Sequence, residues 1–208
     1  MLARITKLEE LEDALKELQA RRDELFNADL HTVPHDLESI LAAYHLLRAG
    51  DVAGASRRAM GGFDKHRKVV ELRAELQLRI LSAALEAPAQ PGENPSSFML
   101  RLASEAQRRK EWRRLAQILE APERFPSAFH TVDHADRFAV RSFLAGRNLD
   151  EAEVWPAAVE TYIRTLKTGS VFVPVDEIKQ RLAAIRAAHP DDYQRGSDQA
   201  SAPPPENP

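Results

Sequence analysis

The chain has 208 residues, of which 43% are apolar and 29% charged, so we expect a packed core in one sizeable domain or two small ones. Its formal net charge of -3 gives no overall attraction to nucleic acid or to anionic membranes, and the absence of cysteine excludes disulfides, thiolate nucleophiles and cysteine-based zinc sites. No apolar run is long enough for a membrane span or a secretory signal, which favours a cytoplasmic protein with no membrane association.

Residues 3–28 carry the clearest helical pattern, a narrow stripe of leucines spaced alternately three and four apart, in which Arg22 fills one position. Such a stripe is typical of a coiled coil, so residues 1–30 are predicted to be a separate amphipathic helix that could form a homodimer through residues 5–25. The stripe covers only about three heptads, which is short for an independent coiled coil. Docking of this helix onto the rest of the chain is therefore an equally good interpretation. The stripe consists of Leu8, Leu11, Leu15, Leu18 and Leu25.

Residues 31–195 are predicted to form one domain of helices joined by short turns. The one β-like run, residues 170–175, contains Pro174, which limits it to a loop or a sheet edge. The proline-rich loop at 87–95 is the best place for an internal hinge, and the polar residues 196–208 are predicted to be a disordered tail. We therefore predict an all-α fold, an irregular stack of about nine helices. After the first helix, these are expected at about 34–48, 52–60, 63–86, 96–109, 111–120, 133–147, 155–166 and 176–188.

The segment from Gly146 to Leu166 is the best-specified unit of the chain. Gly146 is interpreted as opening a turn, after which Trp155, Ala158 and Tyr162 share one helical face with Leu166. A small residue that faces a large aromatic ring lets two helices pack closely as a hairpin. Such a hairpin cannot bury its apolar face alone, so it implies stacked neighbours.

The stretch from about Ala139 to Leu166 resembles one tetratricopeptide repeat, and the helix at 176–188 resembles the helix that closes such arrays. Gly146 and the residues of the shared face lie where that family places its packing residues, whereas Ser142, Leu149 and Ser170 depart from its pattern. The resemblance implies a helical groove that binds a peptide or helix of a partner protein. Two earlier stretches resemble the repeat more loosely, through Ala43, Gly50, Asp51, Val52 and Ala55 and through Leu102, Ala103, Trp112, Leu115 and Leu119.

The leading functional hypothesis is thus a non-enzymatic interaction module or scaffold that binds another protein. Phosphate-binding glycine loops and a nucleophile elbow are absent from the sequence, and we expect no cofactor. The predicted lining of the groove consists of Tyr44, Leu47, Arg48, Arg141 and Arg147.

The pentapeptide HTVPH at 31–35 recurs as HTVDH at 130–134. Because neutral imidazoles are common zinc ligands, the two copies together could form the metal site of a metal-dependent enzyme. Alternatively, both copies are helix starts, in which threonine caps and Pro34 or Asp133 occupies the first turn. We favour helix starts, because no glutamate stands between the histidines as in a hydrolytic zinc helix. The candidate ligands are His31, His35, His130 and His134.

A basic cluster surrounds Trp112. It could hold phosphates while Trp112 stacks on a base, which makes a nucleic-acid-binding protein the other alternative function. Because the net charge of the chain is negative, we favour a solvated helix face with Trp112 in the core, and we do not expect nucleic acid as a partner. The cluster consists of Arg108, Arg109, Lys110, Arg113 and Arg114.

Overall fold

The computed structural model describes residues 8–20, 33–59, 66–124 and 134–202. Over these residues the chain forms ten α-helices and no strand, which confirms the predicted all-α fold. A single 3-10 turn at Leu8–Glu10 precedes the first helix. The helices are α1 (Leu11–Ala20), α2 (Val33–Arg48), α3 (Val52–Ala59), α4 (Arg67–Ala84), α5 (Pro95–Arg108), α6 (Trp112–Arg124), α7 (His134–Glu151), α8 (Trp155–Lys167), α9 (Val175–Ala188) and α10 (Pro190–Ser201).

The turn of the predicted hairpin lies later in the chain than expected, because Gly146 is inside α7 and does not end it. The helix ends where Glu153 adopts a left-handed conformation with φ 60°. The Val154 amide then donates to the carbonyl of Leu149 at 2.9 Å, and the Glu153 amide donates to that of Asp150 at 3.1 Å. This pair of bonds is the Schellman ending of a helix, formed here without the usual glycine.

The chain divides into two compact units, and within the described residues the boundaries between them fall inside two helices, α5 and α6. Among the described residues, the first unit holds those up to 101 together with 120–124, and the second holds 102–119 and 134–202. The predicted division has its boundaries elsewhere, at residues 30 and 195. The predicted hinge at 87–95 lies within the first unit.

Contacts on both sides of that loop fasten it to its neighbouring helices. Ser82 Oγ of α4 donates to the carbonyl of Ala87 at 2.6 Å, and Arg101 Nε of α5 donates to Glu93 at 2.7 Å. The Arg101 guanidinium also holds the pKa of the Glu93 carboxyl below its usual value. A loop tied at both ends has little freedom to act as a hinge.

The core of the first unit lies among the 3-10 turn, α1, α2, α3 and α4. Leu8, Leu11 and Leu15 are buried in it beside residues such as Leu37 and Ile40. The N-terminal stripe therefore docks onto its own chain, as one of the two interpretations expected. A homodimer seam through residues 5–25 would have to do without these three leucines; Leu25 and the side chain of Leu18 lie outside the described residues.

Polar contacts to Glu9 tie the 3-10 turn to α2 and α4. Tyr44 Oη donates to Glu9 at 2.9 Å, and Arg79 Nη1 donates to the same oxygen at 2.7 Å. Arg79 also bonds to Glu75 at 2.5 Å, and its guanidinium lies 5.5 Å from the centroid of the Tyr44 ring. The hydrogen bond from Arg79, reinforced by a backbone amide and by Tyr44, lowers the pKa of Glu9 to about 2.

In the second unit, α7 and α8 form an antiparallel hairpin, and α8 also packs against α9 and α10. A Cβ added at Gly146 would lie 2.8 Å from two carbon atoms of the Tyr162 ring. The predicted contact between a small residue and a large aromatic is therefore present. Trp155 is half-buried, whereas Ala158 and Tyr162 are fully buried on the hairpin face.

The prediction of a disordered tail from residue 196 is wrong for residues 196–201, which belong to α10. Gly196 and Ala200 are buried against α8, and Lys167 Nζ donates to the carbonyl of Ala200 at 2.8 Å. The polar composition of this segment hides the helix, because tertiary contacts rather than apolar periodicity hold it in place.

We expect Gly146→Val to lower the free energy of unfolding of the second unit by about 2 kcal/mol, because the added side chain overlaps the buried Tyr162 ring. Both tryptophans of the chain lie in this unit, so their fluorescence in a urea titration reports its unfolding. The matched control is Ala145→Val at the adjacent exposed position, which should cost less than about 1 kcal/mol. Equal losses for the two variants would contradict the close approach.

A second prediction concerns pH. Because the pKa of Glu9 is lowered in the folded state, its ionised carboxylate stabilises the first unit at pH values above 4.5, the ordinary pKa. This stabilisation is lost as the pH falls towards about 2. The difference in free energy of unfolding between the wild type and Glu9→Gln, measured by circular dichroism, should therefore shrink between these two values. Glu17→Gln, which removes an exposed carboxylate of α1, is the control for the change in charge. A Glu9→Gln difference that stays constant with pH would argue against the Arg79 contact.

Candidate functional site

Three helices of the second unit meet at Asp150, a residue of α7 that is 9% exposed. Arg181 of α9 donates from Nε and Nη2 to the two carboxylate oxygens, at 2.5 and 2.7 Å. Tyr162 of α8 donates from Oη to Oδ2 at 3.2 Å. A two-pronged arginine–carboxylate pair is among the strongest hydrogen-bonded contacts in proteins, so this centre fixes the positions of all three helices.

The electrostatics of the centre follow from this geometry. Burial first, and then the neighbouring Asp150 carboxylate, raise the pKa of the Tyr162 phenol, which therefore remains a hydrogen-bond donor at neutral pH. The hydrogen bond to Asp150 raises the pKa of the Arg181 guanidinium. Arg181 also lies 5.7 Å from the centroid of the Trp155 ring, which is stacked on His189 at 4.7 Å. Its orientation is thus set by two independent contacts.

A cleft of about 280 Å³, the polar cleft, opens beside this centre. Its acidic and basic side chains are mixed, and its two basic ones are Arg147 and Arg181. Arg181 is already paired with Asp150, and Arg147 lies 3.6 Å from Glu151. The lining residues are Phe143, Arg147, Asp150, Glu151, Tyr162, Glu177, Ile178 and Arg181.

A larger cleft of about 580 Å³, the basic cleft, lies between the start of α6 and the second half of α7. Four cationic side chains and two carboxylates surround a floor that includes Trp112 and Leu144. Trp112 meets the Phe143 ring edge-on, with centroids 5.2 Å apart, and this contact joins the two helices. The lining residues are Lys110, Glu111, Trp112, Arg113, Arg114, Leu144, Arg147, Asn148 and Glu151.

The turn between α5 and α6 places the cations at the mouth of the basic cleft. Lys110 has φ 58°, and the Glu111 amide donates to the carbonyl of Ala106 at 2.9 Å, which ends α5. Helix α6 begins two residues after Lys110, and Arg113 lies in its first turn. The side chains of Lys110 and Arg113 are consequently exposed, whereas Trp112 between them points into the core.

The residues predicted to line a partner groove are distributed over both units. In the first unit, Tyr44 is only 7% exposed and is bonded to Glu9, Leu47 is half-buried, and Arg48 is exposed with its guanidinium 6.0 Å from the Tyr44 ring. Burial leaves little of Tyr44 for a partner. In the second unit, Arg147 lines both clefts, and Arg141 is exposed on α7.

The predicted basic cluster is exposed at Arg108, Arg109, Lys110 and Arg113, and Arg114 is half-buried. Trp112 is 6% exposed, so the expectation that it belongs to the core agrees with the structure. Little of its ring is therefore accessible for a base to stack on. Three members of the cluster, Lys110, Arg113 and Arg114, line the basic cleft.

The predicted metal site falls mostly on residues that the structure does not describe. His35 is exposed in the first turn of α2, while His31, His130 and the side chain of His134 lie outside the described residues. In the part of the chain that is described, no three histidine, aspartate or glutamate side chains are grouped to hold a metal ion. The metal site stays a prediction.

Sequence reasoning missed both the Asp150 centre and the two clefts. The partner of Asp150 in this centre, Arg181, is 31 residues away in the chain. No local spacing connects them. The only signal in the sequence was the predicted contact between Tyr162 and Gly146, because this contact places the tyrosine hydroxyl near the end of α7.

None of the described helices is long and apolar enough to cross a membrane. A scan against models of known protein families, a search of curated proteins and a search of solved structures find nothing that matches this chain. The tetratricopeptide resemblance therefore stays a prediction that rests on the packing residues of the hairpin.

We expect Arg181→Ala to destabilise the second unit by about 1–2 kcal/mol, because it leaves the Asp150 carboxylate buried with only Tyr162 as a side-chain partner. The loss is smaller than for a fully buried pair, since the Arg181 side chain is 45% exposed. Urea unfolding followed by circular dichroism measures it. Lys179→Ala, an exposed change on the same helix, should be nearly neutral. An Arg181→Ala variant as stable as this control would contradict the role assigned to the pair.

Proposed function

We propose that the chain is a non-enzymatic interaction module with a tetratricopeptide-like hairpin in its second unit, and that its basic cleft binds an acidic peptide segment of another protein. The observation that carries this proposal is the composition of the basic cleft, in which cations surround an apolar floor. Such a combination fits a peptide that carries carboxylates beside an apolar side chain.

The size and the charges of the cleft support a peptide ligand. A volume of about 580 Å³ is within the range of ligand-binding clefts. Lys110 and Arg113 are exposed at its mouth, where cations steer an acidic partner during the encounter. The half-buried Leu144 offers apolar surface in the cleft, against which an apolar side chain of the peptide would pack.

Nucleic acid fits the same cleft less well. Binding of single strands relies on aromatic faces for stacking, and the Trp112 ring is buried edge-on to Phe143. Two lining carboxylates, Glu111 and Glu151, would also repel a phosphate backbone. Nucleic-acid binding is therefore the second candidate, supported by the exposed Arg108 and Arg109 beside the cleft.

The Asp150 centre favours a structural role over a catalytic one. Asp150 accepts two hydrogen bonds from Arg181 and one from Tyr162, so its carboxylate is already engaged by protein donors. A general base has to reach a proton of its substrate, and a nucleophile has to be free to attack. This arrangement supports a module that binds without chemistry.

The proposal is tested by fluorescence anisotropy with a labelled peptide in which glutamate alternates with leucine. We expect the wild type to bind this peptide, more weakly at higher salt. The double variant Arg113→Glu and Arg147→Glu should bind it about tenfold more weakly, a loss of ~1.4 kcal/mol.

A matched double variant, Lys179→Glu and Arg195→Glu, changes the net charge equally at exposed positions of the second unit that do not line the basic cleft. It should bind the peptide like the wild type. Equal weakening by both double variants would show that only net charge matters and would contradict a site. If a labelled single-stranded oligonucleotide bound more tightly than the peptide, and Arg113→Glu abolished this binding, the ligand of the cleft would be nucleic acid and not an acidic peptide.

A further inference from the structure

The basic cleft and the polar cleft meet along α7, because they share two lining residues, Arg147 and Glu151. These residues are four positions apart, so they are neighbours on the helix surface, and their charged groups lie 3.6 Å from each other. Arg147 is half-buried and Glu151 is exposed. The pair forms a ridge with one cleft on each side, and a ligand that fills the basic cleft can extend across this ridge into the polar cleft.

The balance of charge reverses from one cleft to the other. Four cations and two carboxylates line the basic cleft, whereas two cations and three carboxylates line the polar cleft. Both cations of the polar cleft are matched by carboxylates of the same cleft. Arg181 is bonded to both oxygens of Asp150, and Arg147 is paired with Glu151. The third carboxylate, that of Glu177, therefore gives the polar cleft an excess of negative charge.

Among the described residues, Glu177 is the carboxylate of the polar cleft that makes no ion pair. It is half-buried in the first turn of α9, where Asp176 is also acidic. Both acids complement the dipole of this helix, but Asp176 is exposed and does not line the cleft. A carboxylate that is partly shielded from water attracts a cation more strongly than an exposed one does, so Glu177 is suited to hold an ammonium or guanidinium group.

The width of α7 sets the distance between the two kinds of charge in a ligand. On either side of the ridge, Leu144 lines only the basic cleft and Asp150 lines only the polar cleft. A helix with its side chains is about 10–12 Å across. Because an extended chain advances about 3.3 Å per residue, a cation in the polar cleft would be about three or four residues from the segment in the basic cleft.

We propose that the peptide ligand carries a lysine or arginine about three or four residues from its acidic segment, and that this basic side chain enters the polar cleft and pairs with Glu177. The pairing rests on the proposed function, because the acidic segment of the same peptide occupies the basic cleft. It makes the chain selective among acidic peptides. A wholly basic peptide is repelled by the basic cleft, and a wholly acidic one gains nothing from the polar cleft.

The test measures the binding of labelled peptides to the full chain by fluorescence anisotropy. Two peptides extend the glutamate–leucine peptide by a short serine spacer and a lysine, one at each end, because either direction of the bound peptide is compatible with the clefts. Each has a counterpart with glutamine in place of the lysine. We expect one lysine peptide to bind the wild type about threefold more tightly than its glutamine counterpart, which is the gain typical of a partly exposed ion pair.

Three variants assign this gain to one carboxylate. Glu177→Gln should abolish the difference between the lysine and glutamine peptides. Asp176→Asn, the matched control, removes a carboxylate from the same turn of α9 outside the cleft and should retain the difference. Glu177→Lys should reverse the preference, so that a peptide with glutamate at this position binds more tightly than the lysine peptide. Tryptophan fluorescence checks that the second unit of each variant is folded.

Binding of the original glutamate–leucine peptide reports on the acidic-peptide proposal, whereas the difference between lysine and glutamine peptides reports on the pairing with Glu177, so the two can fail separately. The pairing is overturned if neither lysine peptide binds the wild type more tightly than its glutamine counterpart. It is also overturned if the gain persists in Glu177→Gln, or if Asp176→Asn removes the gain to the same extent. Failure of every peptide to bind the wild type overturns both proposals.

Discussion

The second unit depends on the missing side chain at Gly146. Because nothing projects from this position, the Tyr162 ring lies directly on α7, and its hydroxyl reaches Asp150 one turn further along. Asp150 in turn holds Arg181, and with it α9. The second half of α7 lines both the basic and the polar cleft. Tyr162 itself lines the polar cleft, whose geometry therefore depends directly on this helix contact.

The two units are stabilised by the same combination of groups. In the first, a tyrosine and an arginine donate to the carboxylate of Glu9; in the second, Tyr162 and Arg181 donate to that of Asp150. In each case the three side chains come from three different elements, and burial raises the pKa of the tyrosine. Such a centre joins elements that are distant in the chain, and its directional bonds favour one arrangement of the helices over others.

The helices could be predicted from sequence because their apolar periodicity is local, and the packing face with Tyr162 followed from spacing alone. The ends of the helices are harder to predict from the sequence. Gly146 indicates the opening of a turn, whereas the chain turns at Glu153, in a left-handed conformation that glycine would normally adopt. Residues 196–201 form a helix through their contacts with α8, so the local sequence does not predict this helix. The basic cleft brings Lys110 and Arg147 together although they are 37 positions apart, so no local pattern indicates the cleft either.

The basic cleft between α6 and α7 of the second unit is the site that we propose for an acidic peptide. The most direct measurement is a map of amide chemical shifts, recorded by nuclear magnetic resonance as the glutamate–leucine peptide is added to the full chain. We expect the largest changes at residues 110–114 and 144–151, with small changes over α10. Changes spread over exposed basic residues of both units, or confined to residues outside these two segments, would contradict it.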